Sequence, residues 1–215
     1  MSNLFYLPHA NRPGTDRIEW ANGTRSDLVL IPDVINDEQR PLIIEFQKTV
    51  DKKFIKRAIS YCLQASSRYG IDPVILIFCI DTVAESTEEK FENSVRLPCC
   101  ATIPCDFWAE ECLILSKKTI KQHINVEGSL NPLIALGMFF TYQASAITLL
   151  PRCEDPTLVF LYEVAKKSFQ EMQNRDLSLL EELKNVYDTQ LQDYKNTLST
   201  IQTEEEPLHT ITEQI

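Results

Sequence analysis

Residues 74–80, Val-Ile-Leu-Ile-Phe-Cys-Ile, form an unbroken apolar run that directly follows a stretch with helical periodicity. A strand with one wet face alternates apolar and polar residues, whereas a continuous run needs cover on both faces. Such a strand lies inside a sheet, and a helix just ahead of it is the crossover from a parallel neighbour. The preceding stripe is Phe54, Ile55, Ala58, Ile59, Cys62 and Leu63, with Thr49 or Asp51 available as N-cap and Gly70 as the stop. These features alone place the chain among α/β folds with a mixed sheet.

The surrounding segments extend that sheet. Arg17–Ala21 and a strand beginning at Arg25 flank Asn22-Gly23, the dipeptide best suited to a tight hairpin turn. Pro32 ends the second strand, Asn36-Asp37-Glu38-Gln39 makes a turn, and residues 42–46 form a third strand. Residues 84–96 are charged and read as loop or helix. Residues 97–105 hold two prolines and lead irregularly into a strand at 111–116. Asn131-Pro132 opens a helix expected to run to Pro151, and Asp155-Pro156 opens another through Phe169.

Further on, Leu180, Tyr187, Leu191, Tyr194, Leu198 and Ile201 recur at three- and four-residue steps, interrupted by Lys184. This is a coiled-coil seam, and its helix either packs on its own domain or pairs two copies as a homodimer through residues 177–201. The expected organisation is a loose lead over 1–16, an α/β domain over 17–170, a helical extension over 171–203 and a disordered acidic tail over 204–215.

Bulk properties exclude several classes. No segment approaches the roughly 18 uninterrupted apolar residues of a membrane span. The N-terminus lacks the basic-then-apolar order of a secretory signal, so the expectation is an intracellular protein of nucleus or cytoplasm. The seven cysteines include no CxxC pair, and Cys62 and Cys79 sit in apolar runs like small core residues. The formal net charge is −10, but residues 171–215 carry ten acids against three bases. Against that background Lys48, Lys52, Lys53, Lys56 and Arg57 form a local basic strip, suited either to a phosphate backbone or simply to the wet face of a helix.

The chemistry lies just before that strip. Asp27 opens one strand and Glu45 stands late in the next. In an antiparallel hairpin the start of one strand lies beside the end of the other, so the two carboxylates converge at one sheet edge. Paired carboxylates hold a hard divalent cation, and the backbone carbonyl of Phe46 could be a third ligand. Gln47 projects to the same side as Glu45, since side chains alternate, and its amide could orient a water. Singly, each has a plainer reading: Asp27 as a turn cap, Glu45 as an ion-pair partner of Lys48 or Arg57.

Asp27, the sequence Glu45-x-Gln47, a following helix with Arg57 and Tyr61, and the apolar strand 74–80 together resemble the PD-(D/E)XK nuclease superfamily, and within it the transposase-like, recombination-promoting branch with its fungal relatives. The resemblance covers about residues 17–82. It implies a restriction-endonuclease-like mixed β-sheet flanked by helices, Mg²⁺ or Mn²⁺ as cofactor, and phosphodiester hydrolysis in DNA. It assigns Asp27 and Glu45 to metal, Gln47 to the water, and Arg57 and Tyr61 to the phosphate side, with Lys48, Lys52 and Lys53 nearby. The chain departs from the superfamily in two ways: Gln47 is neutral where lysine is usual, and only Glu19 stands in for the customary upstream acid. A catalytically degenerate relative that serves as an interaction or dimerisation module fits the same residues.

Overall fold

The computed structural model describes residues 19–204 apart from Val126. The expected loose lead and acidic tail lie outside the described residues, except for Glu204. The chain divides into two compact units between Tyr162 and Glu163.

The first unit is built on a six-stranded mixed sheet. Its elements are β1 (Leu28–Leu30), β2 (Leu42–Val50), α1 (Lys52–Tyr69), β3 (Val74–Val83), α2 (Glu85–Glu88), β4 (Glu92–Asn93), β5 (Ala101–Thr102), β6 (Glu111–Ser116), α3 (Lys117–Lys121) and α4 (Pro132–Tyr142). The strands are ordered β1-β2-β3-β6-β5-β4. β2, β3 and β6 run parallel at the centre, and β1 and the β4–β5 pair add antiparallel edges.

β3 is the central strand that its apolar run predicts, with residues 74–79 all buried. Alternate residues serve opposite faces. Ile75 and Ile77 join Ile43, Ile114, Phe54, Ala58 and Cys62 beneath α1. Leu76 and Phe78 join Leu113, Leu115, Ile120 and Met138 beneath α3 and α4. The seven cysteines are free thiols.

Local signals fix the ends of α1. The Asp51 carboxylate accepts from the Phe54 N–H at 2.8 Å, a cap worth about 1 kcal/mol. Gly70 closes the helix at φ 73° and donates its N–H to the Ser66 carbonyl at 2.9 Å. Of the expected stripe, Leu63 is exposed and Tyr61 takes a buried place instead. The apolar pattern drifts around the helix, and an aromatic ring two positions earlier fills the space over the sheet.

Several boundaries differ from expectation. Among the described residues the hairpin at Asn22-Gly23 forms a single bridge, Glu19 to Arg25, and the strand proper starts at Leu28. Buried Ser26 and exposed Asp27 intervene, and their side chains bond across the sheet rather than along it. β2 continues four residues past Phe46, because its parallel ladder with β3 runs on to Val50. A bulge lies there, where Gln47–Thr49 of β2 spans Cys79–Thr82 of β3. α4 ends at Tyr142 rather than at Pro151, with Gln143 left-handed at φ 48°. The Tyr162 hydroxyl holds the turn by donating to the Ala144 carbonyl at 3.0 Å.

The last helix, α5 (Pro156–Glu204), is continuous where two helices were expected. Asp155 caps its start, accepting from Thr157 at 2.9 Å and from Leu130 at 2.8 Å. Nothing between Phe169 and Leu180 is glycine or proline, so no residue there breaks the helix. No helix among the described residues is long and apolar enough to cross a membrane.

Candidate functional site

The register of β1 on β2 pairs Leu28 with Ile44, which sets Asp27 opposite Glu45. The two acids brace each other through the backbone. The Asp27 N–H donates to Glu45 Oε1 at 3.2 Å, and the Phe46 N–H donates to Asp27 Oδ2 at 2.9 Å. The sequence-predicted convergence of the two carboxylates at the β1–β2 edge is thus present. They differ in setting: Glu45 is 3% exposed, whereas Asp27 faces solvent.

That asymmetry controls their chemistry. Burial, then the negative charge of Asp27, pushes the Glu45 carboxyl up to about 7. The Asp27 N–H, the Ser26 hydroxyl and the Arg57 guanidinium work in the opposite direction. At neutral pH Glu45 is therefore poised between its protonated and ionised forms, and a small change in nearby charge moves it.

Two residues with no signal of their own support Glu45. Ser26, itself buried, accepts from the Trp20 indole N–H at 2.8 Å and bonds the Glu45 carboxyl with its hydroxyl. A buried indole needs a partner for its N–H, and the serine supplies one while orienting the acid. The only clue in the sequence is that Trp20 and Ser26 flank the Asn22-Gly23 turn at nearly equal distances.

Gln47 lies on the same face as Glu45, and both ends of its amide are engaged. Its Nε2 donates to the Thr49 carbonyl at 2.9 Å and its Oε1 accepts from Arg57 at 2.8 Å. Arg57 in turn lies over the Phe54 ring at 5.1 Å and the Tyr61 ring at 6.0 Å. These contacts hold the guanidinium beside the sheet edge. Tyr61 is buried near the carboxylates: burial raises its phenol, Arg57 lowers it, and Glu45 and Asp27 raise it again.

The remaining predicted residues are outlying. Lys48, Lys52 and Lys53 are exposed. Lys52 and Lys53 occupy the first turn of α1, which contains no acid. Cations there oppose the helix dipole, so the helix gains no dipole stabilisation from them. Glu19 is not part of the site; it pairs with Arg25 at 2.8 Å on the surface.

Among the described residues no group of three or more His, Cys, Asp and Glu side chains is placed to hold a metal ion. The pair Asp27 and Glu45 offers two hard oxygen donors, a set that suits Mg²⁺ or Mn²⁺ rather than zinc, with remaining positions left to carbonyl oxygen or water. Comparison with protein-family models, with curated proteins and with solved structures gives no match.

Proposed function

We propose that this chain is a metal-dependent DNA endonuclease on a restriction-endonuclease-like sheet, of the PD-(D/E)XK transposase-like kind. The observation that carries the reading is the braced pair Asp27–Glu45, with Glu45 raised to about 7 beside a second carboxylate. Two adjacent acids, one of them buried, are costly to leave unneutralised, and a divalent cation removes that cost.

Asp27 and Glu45 would hold Mg²⁺ or Mn²⁺. When bound, such an ion polarises a phosphoryl oxygen and makes water more acidic. Glu45 would give up its proton in order to serve as such a ligand. Arg57, fixed by Gln47 and two rings, supplies the positive charge that neutral Gln47 lacks and offers a forked donor to a phosphate. Lys52 and Lys53 would extend positive charge toward a DNA backbone, and Lys48 is exposed on β2. DNA would be met in the nucleus or cytoplasm.

The test is cleavage of plasmid and single-stranded DNA with Mg²⁺ or Mn²⁺ by wild type beside Glu45→Ala. Cleavage that disappears in the variant and with chelator supports the reading. Failure of wild type to cleave, with no metal binding by calorimetry, removes it.

A second reading is favoured by the engaged Gln47 amide and by the exposed apolar residues of α5. In it the site is degenerate and the protein is an interaction module that self-associates through residues 177–201.

A further inference from the structure

We propose that α5 from Phe169 onward associates in parallel with a second copy of this chain on an eleven-residue repeat. The proposal deepens the self-association reading of residues 177–201 and does not depend on nuclease chemistry.

Two series of apolar residues recur eleven apart along the helix, and a third joins them after a polar start. Phe169 is followed by Leu180, Met172 by Leu183, and Asp176 by Tyr187. The sequence carries each series on, with Leu191, Tyr194 and Leu198. Eleven residues in three turns is about 3.67 per turn, close to the 3.6 of a straight helix, so the stripe stays on one side. A seven-residue count from Leu177 and Leu180 instead places Lys184 in the seam.

The stripe is bare. Phe169, Met172, Leu179, Leu180, Leu183, Val186 and Tyr187 are each between 54% and 64% exposed. Covering seven such side chains on each of two copies removes on the order of 1,000–1,500 Å² from water, which is what a stable interface needs.

Charge selects both the partner and its direction. One flank of the stripe carries Glu171 and Glu182, and the sequence continues that series with Asp193. The other flank carries Gln173 and Lys184, continued by Lys195. In a parallel pair the unlike flanks face each other, which sets Lys184 beside Glu182 of the second copy. In an antiparallel pair the acidic flanks would face each other. The helix is thus complementary to itself in one orientation, and Arg175, eleven before Val186, and Asp176 are polar positions within the stripe that set register at some cost in stability.

Light scattering and analytical ultracentrifugation of the full chain over a concentration range test this. The expected result is a self-associated species with a dimer as its smallest form. Leu183→Asp weakens it at least a hundredfold. Glu182→Lys and Lys184→Glu each weaken it roughly tenfold, and the double exchange recovers most of that loss. Trp20 and Trp108, the only tryptophans, both lie in the first unit, so their emission verifies that each variant is folded there. A monomer at every concentration overturns this proposal and the self-association reading together. A dimer in which the two exchanges weaken additively overturns the parallel arrangement alone.

Discussion

Replacing Glu45 by Gln isolates the electrostatics of the candidate site, because it keeps the shape and an oxygen acceptor for the Asp27 N–H and the Ser26 hydroxyl. The wild-type carboxyl titrates near 7 in the folded chain against an ordinary 4.5. The native state therefore holds its proton more tightly than the unfolded state does. Between those values the unfolded chain binds fewer protons, so stability falls as pH rises. At 1.36 kcal/mol per pH unit the full shift corresponds to about 3 kcal/mol, and discounting for water at the sheet edge beside exposed Asp27 leaves about 2–3 kcal/mol.

Urea unfolding in chelator at half-unit steps from pH 4.5 to 8.5 reads this directly. Groups common to both chains cancel in the difference. Near pH 4.5 the two should agree to within about 1 kcal/mol, since Gln mimics protonated Glu. Above pH 8 the Gln variant should be more stable by about 2–3 kcal/mol, at unchanged m. Curves that stay parallel across the range would refute the claim that burial and Asp27 perturb Glu45. Adding Mg²⁺ at pH 8 should narrow the gap by stabilising only the wild type.

Other consequences follow from the same contacts. Calorimetry with Mn²⁺ at pH 6 should show release of about one proton, read from the dependence of the heat on buffer, whereas release vanishes by pH 8.5. Asp27→Asn should weaken that binding at least tenfold. Ser26→Ala leaves the Trp20 N–H unpaired and takes a hydrogen bond from Glu45; it should cost about 1–3 kcal/mol and extend the pH-dependent loss of stability to higher pH. Phe107 has φ 75° and a side chain almost wholly in solvent, so Phe107→Asn should raise stability by about 0.5–1 kcal/mol in thermal unfolding.

The mixed sheet was readable in the sequence where periodicity decides burial: the run 74–80 could only be a central strand, and Asp51 and Gly70 punctuate α1 as their types require. The pairing of Asp27 with Glu45 was readable because hairpin geometry relates the two ends. Tertiary contacts were not. Nothing local says that α4 stops at Tyr142, where the turn that follows is bonded by a tyrosine hydroxyl of another helix. Nor does any pattern mark Ser26 as the link between Trp20 and Glu45, because a serine beside an aspartate reads first as a turn. Leu63 fits a helical stripe as well as Tyr61 does, and only the space above the sheet chooses between them.

The site's cost to the fold is itself an argument about its use. On the α1 face of β2, Ile43 and Val50 are fully buried, and an apolar side chain at position 45 would continue that layer. An acid there must instead be desolvated beside a second acid. The cation that acts on it among the described residues, Arg57, is also bonded to Gln47 and is exposed to solvent, so it offsets the cost only in part. Ser26 and the Asp27 N–H hold the carboxyl in a fixed direction without neutralising it. A group oriented at this expense, and titrating near neutral pH, is what the proposed cation site would require of Glu45. The raised titration of Glu45 means that its ionised form costs the fold stability above neutral pH, which the protonated form does not.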